Sequence, residues 1–208
     1  MPLISTCLCL LTRIADDGGR EVLLGQKKTG LGTGKTVGLG GHVEDGETPD
    51  EAAAREVKEE AGISVDPAAL TEVAHITFLF PVCPKWDMTV NVFTAAQWAG
   101  QAMETPEIVP QWFPLSALPL GSMWDDARHW LPRVLAGERL RATFTYADDC
   151  ETVAAADIES LPSTPFLISR ATTRKVKNGV DAWGLWGSRG TRCALAWGFL
   201  GLWGSWDS

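Results

Sequence analysis

The chain of 208 residues carries a net charge of −8, with 45% hydrophobic and 21% charged residues, the balance of a globular chain with a full core rather than of a disordered one. The charge is uneven: residues 161–208 hold six Lys/Arg against Asp181 and Asp207, +4 there, which leaves −12 on the remainder. An acidic body excludes broad binding to a nucleic-acid backbone, which needs basic surface for counterion release, but it admits an anionic substrate when divalent cations bridge the two sets of charge.

The N-terminal MPLISTCLCLLTR lacks a basic leader and a small-residue cleavage site, so it reads as a strand over 5–13 and not as a signal peptide. Cys7 and Cys9 fall on one face of that strand and read as buried thiols. With Cys83, Cys150 and Cys193 they make an odd, scattered set without CxxC or zinc spacing, which fits reduced thiols in the cytoplasm. A turn at ADDGGR leads to EVLLGQKK (21–28), a hairpin partner. Six glycines within 29–41 make a loop where the backbone turns tightly or approaches a ligand. Thr48 as N-cap, Pro49 in the first turn, Glu51 closing a capping box and Gly62 as C-cap then predict a helix.

Strands follow over 73–80 and 88–98, a short one at Gln111–Phe113, a helical pattern over 125–136 interrupted by Pro132, and an alternating strand over 138–148. Strands alternating with two helices predict an α/β or α+β fold with a mixed sheet. Residues 1–161 read as one domain. Residues 162–208 pack five of the ten tryptophans among glycines without periodicity; on composition they read as a poorly ordered or out-of-frame tail rather than a docking segment. No stretch reaches the ~20 apolar residues of a membrane span.

The chemistry concentrates in the first helix. At 100° per residue Glu56, Glu59 and Glu60 share an arc of roughly 100°, with Arg55 beside Glu59 at i,i+4 and Ala53, Val57 and Ala61 on an adjoining apolar face. E-x-x-E-E alone is ordinarily a solvated face. Here a glycine loop feeds directly into the helix and Glu47 precedes it, and three stacked carboxylates repel one another unless a cation such as Mg²⁺ or Mn²⁺ sits among them.

Residues 41–63 fill every fixed position of G-x₅-E-x₇-R-E-U-x-E-E-x-G-U, U being aliphatic, and so resemble the Nudix box. Beyond the box, LLGQKKTGLGTGK, GLGGHVEDGET, PQWFPL and MWDDARHWLP resemble the oxidised-purine nucleoside triphosphatases of that family over roughly residues 3–160. The resemblance implies an α/β/α sandwich, a monomer, and Mg²⁺ (or Mn²⁺) held by Glu56, Glu59, Glu60, Glu107 and the Gly40 carbonyl. It implies that water attacks a phosphorus in line, that Glu56 or Glu107 takes its proton, and that catalytic roles fall on Glu56, Glu59 and Arg55, with Arg55 and Glu47 orienting the box. It places the nucleotide against Lys27, Phe78, Met88, Trp124 and Asp126, Trp124 stacking on a purine and Asp126 reading its edge. Taken singly, Phe78 and Met88 also read as plain core, and Trp124 as an ordinary helix start.

Three departures bear on base preference. Thr36–Val37 replaces a Trp-Asn pair, Ala127 stands where a second base-reading acid is expected, and Leu31 replaces a phenylalanine. The expected activity is hydrolysis of purine nucleoside triphosphates to monophosphate and pyrophosphate. The alternatives are a Nudix hydrolase of a nucleoside diphosphate sugar or dinucleotide polyphosphate, and a binding module without catalysis, against which the intact box argues.

Overall fold

The computed structural model describes residues 3–162; the expectation for the tryptophan-rich tail lies outside them. Eight strands and two helices follow in chain order: β1 (Ile4–Ile14), β2 (Arg20–Lys27), β3 (Thr36–Val37), α1 (Pro49–Ala61), β4 (Thr71–Leu79), β5 (Met88–Ala95), β6 (Ile108–Pro114), α2 (Ala127–Leu135), β7 (Arg139–Tyr146) and β8 (Val153–Leu161). They form a mixed sheet of order β3-β2-β1-β5-β4-β7-β8, with β6 paired to β2. β1 runs parallel to β5 and β4 to β7, and the remaining pairs are antiparallel.

Where the sheet is covered on both faces, at β1 and β2, Cys7–Leu11 and Val22–Leu24 run apolar without alternation. Along β1 the period-two geometry of a strand sends Leu10 to one side and Cys7, Cys9 and Leu11 to the other. The cysteine side receives α1 through Ala52, Ala53, Val57 and Ala61, all fully buried. The Leu10 side receives α2 through Trp130, Leu131, Val134 and Leu135.

One irregularity makes room for a site. β1 pairs with β2 only from Thr12 to Ile14, and then the two strands diverge. The glycine-rich segment fills the fork: Thr36–Val37 adds to β2, while Cys9 N–H donates to the Leu39 carbonyl (2.7 Å) and Cys7 N–H to the Gly41 carbonyl (2.9 Å). Gly40, at φ 155°, passes so close to β1 that a Cβ there would overlap the Cys7 carbonyl oxygen. Where the sequence predicts a loop, the segment extends the ladder, and the close approach at Gly40 is one that only glycine can make.

Other differences are local. β6 is longer than the expected Gln111–Phe113 because it pairs with β2 along its whole length. The alanine-rich sequence of β8 carries no alternation and predicts no strand; β8 forms by pairing with β7 over Arg139–Tyr146. α2 continues through Pro132, whose ring removes one helical N–H; the carbonyl thereby freed belongs to Arg128, an exposed residue that water can serve.

α1 begins as its capping residues predict, with the Thr48–Glu51 capping box closed. Glu51 accepts both the Thr48 N–H (2.9 Å) and the Thr48 hydroxyl (2.8 Å). Gly62 ends the helix in the left-handed region at φ 72°, its N–H bonded to the Lys58 carbonyl. Glu51→Ala is expected to lower stability by about 1 kcal/mol, measured by urea unfolding. An unchanged midpoint would mean that packing alone fixes the helix start.

Candidate active site

The apolar face of α1 is committed to the sheet, which turns its carboxylate face toward the glycine fork. Glu60 is only 3% exposed and accepts the Gly40 N–H at 2.8 Å, with the Lys27 ammonium 3.9 Å away. Its carboxyl is raised to about 7, chiefly by burial and further by the charges of Glu56 and Glu107, against the pull of Gly40 and Lys27. Glu56 sits under the same turn, since a Cβ on Gly41 would collide with its carboxylate.

Arg55 is the hub of this face. Its Nε and Nη2 grip Glu47 in a fork, each at 2.9 Å, while Nη1 reaches Glu56 (2.8 Å) and Glu59 (3.1 Å) and Nη2 also donates to the His42 carbonyl (2.9 Å). The hydrogen bonds to Glu47 and Glu56 hold the guanidinium more firmly charged, and the bond from Arg55 in turn lowers the Glu47 carboxyl. One cation thus joins the loop before α1 to three acids.

These acids fit a hard divalent cation by donor chemistry, and a cation there would offset both the burial that chiefly raises Glu60 and the added repulsion from Glu56 and Glu107. Among the described residues no three such side chains are gathered into a ready cluster. Glu56 and Glu59 are turned onto Arg55, and Glu60 onto Gly40.

Beside the carboxylate face lies a cleft of about 540 Å³, whose rim includes Gly40, Gly41 and Glu107. All five residues expected to contact substrate line it: Lys27, Phe78, Met88, Trp124 and Asp126. Arg55, Glu56, Glu59 and Glu60 are not part of its lining; they meet it through Gly40 and Gly41. Phe78 and Met88 are both core and wall, packing with the α2-side cluster while facing the cleft. Leu31 and Val37, two of the departures noted in the sequence, line it as well.

Trp124 is held from several sides. The Lys35 ammonium lies 4.6 Å over its ring and is itself paired with Glu151 at 2.8 Å, Tyr146 meets it edge-on, and Gly32 passes close to its Nε1. The wall is more polar in sequence than in effect. Asp126 is 4% exposed, with Oδ2 accepting from Trp130 Nε1 at 2.6 Å and Oδ1 accepting from the Tyr146 hydroxyl. Trp130, one turn along α2, was within reach of sequence reasoning. Tyr146, on another strand, left no signal. Cys7 and Cys9 are confirmed as buried structural thiols, pushed by burial up to about 11 and about 12.

Burial is the largest influence on Asp126 and raises its carboxyl above the usual value, against the pull of Tyr146 and Trp130. A carboxyl raised in the folded state adds stability below its unfolded value, about 3.9, and loses that contribution as pH rises through the folded value. The stability of Asp126→Asn relative to wild type is therefore expected to improve from pH 4 upward, read from paired urea melts. A difference that does not change with pH would show that the carboxyl is not shifted.

Comparison with known proteins follows the same lines. The family described as NUDIX domain matches residues 9–134. The oxidized purine nucleoside triphosphate hydrolase of Mus musculus is 40% identical over 129 residues, 62% of this chain and 81% of that one. Its Danio rerio counterpart is 39% identical over 137 residues, 66% of this chain and 86% of its own. Among solved structures, the mutator MutT protein of Bacillus halodurans superposes with a TM-score of 0.62 at 25% identity, covering 76% of this chain and 98% of its own.

Proposed function

The chain belongs to the Nudix family and is a Nudix hydrolase, and from that premise we propose that it cuts purine nucleoside triphosphates, oxidised purines included, to monophosphate and pyrophosphate with Mg²⁺. One observation carries the reading: a single cleft runs from an aromatic wall at Trp124 to the glycine turn that the carboxylate helix grips. A base and a polyphosphate can lie in it at once. The printed names of the Mus musculus and Danio rerio relatives support the substrate class, and cleansing of the nucleotide pool would be the consequence.

In this reading Glu56, Glu59, Glu60, Glu107 and the Gly40 carbonyl hold the Mg²⁺, with Mn²⁺ as a substitute. A bound cation supplies neutralisation of phosphate charge as the phosphorus–oxygen bond breaks. Arg55 keeps Glu56 and Glu59 oriented through Nη1, and Glu47 fixes Arg55. Either Glu56 or Glu107 receives the proton of the attacking water at a carboxylate oxygen. Lys27 brings positive charge to the phosphate end of the cleft, while Trp124 offers a stacking face bounded by Phe78 and Met88. We take residues 1–161 as the catalytic unit, acting as a monomer in the cytoplasm, a compartment that the free thiols of Cys7, Cys9, Cys83 and Cys150 favour.

Chelation by EDTA is expected to abolish hydrolysis, with Mg²⁺ or Mn²⁺ restoring it. Glu60→Gln should lower turnover by orders of magnitude at nearly unchanged melting temperature, because the amide keeps the shape that accepts Gly40 N–H and loses only charge. Full activity in EDTA, or normal turnover of the variant, would remove the metal from the mechanism.

Base preference is expected to be modest. Val37 offers no polar group and Asp126 is already bonded inside the fold, so discrimination falls to shape, worth at most about a hundredfold. The measurement is kcat/KM for 8-oxo-dGTP, 2-hydroxy-dATP, dGTP and dATP, beside a nucleoside diphosphate sugar and a dinucleotide polyphosphate, and a chain ending at Leu161 should match the full chain throughout. A thousandfold preference for one oxidised purine would refute shape-based reading, and faster cleavage of either other class would move the leaving group.

A further inference from the structure

Polar side chains are present at the base end of the cleft, and they are bonded to the protein itself. Thr6 donates to the Thr89 carbonyl at 2.9 Å, Thr36 shares a hydrogen bond with Ser122 at 2.9 Å, and Asp126 has one oxygen on Trp130 and the other on Tyr146. Among the described residues no buried side-chain polar atom lacks a partner. A site discriminates between bases mainly by leaving its own buried groups unpaired when the wrong base enters. None of these three side chains depends on a base for its partner.

We propose that the Tyr146 hydroxyl is a specificity-determining group: by occupying Asp126 Oδ1 it takes the place of a base N–H and holds the pocket to broad recognition. The inference rests on the purine-nucleotide reading above and deepens it. Asp126 and Tyr146 both line the cleft, so the bond between them lies in its wall. An ionised carboxylate only accepts hydrogen bonds. With Tyr146 and Trp130 each donating to one oxygen, the carboxylate is satisfied without a ligand, so a base loses little by lacking an N–H to present.

The ring and the hydroxyl of Tyr146 do separate work. The ring stacks on Phe80 with centroids 4.4 Å apart and 10° between planes, and lies within 6.3 Å of Phe78. Phenylalanine keeps those contacts. Tyr146→Phe therefore removes one donor from Asp126 and leaves a buried carboxylate oxygen whose missing partner a base N–H can supply, so that bases lacking the N–H are penalised.

The experiment compares bases that differ by a single amino group: the guanine against the hypoxanthine deoxynucleoside triphosphate, and the adenine against the unsubstituted purine deoxynucleoside triphosphate. In wild type each pair should differ only a few-fold in kcat/KM. In Tyr146→Phe at least one ratio should widen by about tenfold, the size of one hydrogen bond to a charged group, through KM and with kcat of the better substrate nearly unchanged. Trp130→Phe, which vacates Oδ2 instead, should also widen a ratio. Ratios within twofold of wild type in both variants would overturn the proposal. Should wild type hydrolyse no purine triphosphate, the functional reading falls, while calorimetric binding of the corresponding monophosphates to wild type and Tyr146→Phe makes the same comparisons and decides the role of Tyr146.

Discussion

Glu60 accepts the Gly40 N–H from inside the protein, where an ionised carboxylate is costly to bury. That bond ties the carboxylate helix to the glycine turn, and much of the arrangement around it follows. The turn must run against β1 for its N–H to reach Glu60, which excludes any side chain at Gly40. β1 must part from β2 to admit the turn, and the parted strands open one end of the cleft. The raised Glu60 carboxyl is the electrostatic cost of this geometry, and a divalent cation at the same place would offset it.

Arg55 makes the arrangement stiff. Its planar fork satisfies Glu47 with two parallel bonds and still spans to Glu56, Glu59 and the His42 carbonyl. A lysine could place a charge there but could not hold five oxygens in fixed directions. The loop before the helix, the first acid of the triplet and the exposed acid one turn on therefore move as one body. Positioning of this kind matters most in phosphoryl chemistry, where the protein contributes chiefly orientation and charge.

How much of this was legible in sequence depends on the distance between interacting residues. α1 could be read almost to the residue, because its signals are local: Thr48, Pro49, Glu51 and Gly62 lie within fifteen positions and each acts on its own backbone. The carboxylate face was legible for the same reason, since helical period alone gathers Glu56, Glu59 and Glu60. The five residues expected along the cleft came from resemblance, and the cleft brings them together. What stayed hidden depends on pairing between distant segments. β8 has no pattern of its own and exists because β7 has an open edge. The β1–β2 fork cannot be seen in two strands that each look regular. The hydroxyl of Tyr146 meets Asp126 only because β7 lies beside α2, a juxtaposition that no spacing rule encodes.

The two ends of the cleft consequently handle polarity in opposite ways. At the phosphate end acids crowd together beyond what Arg55 and Lys27 neutralise, an unbalanced charge that an incoming cation and polyphosphate would complete. At the other end, among the described residues, every buried side-chain polar atom is already bonded within the fold, so on the proposed reading a base there would be held by contact with aromatic and aliphatic walls. Binding energy and selectivity should then separate along the cleft. On the proposed reading the phosphate end would demand a particular charge and length of chain, whereas the base end would accept what fits beside Trp124. An enzyme built this way is strict about the bond it cuts and tolerant of the lesion the base carries, which suits the removal of damaged nucleotides whose chemistry varies from one oxidation to the next.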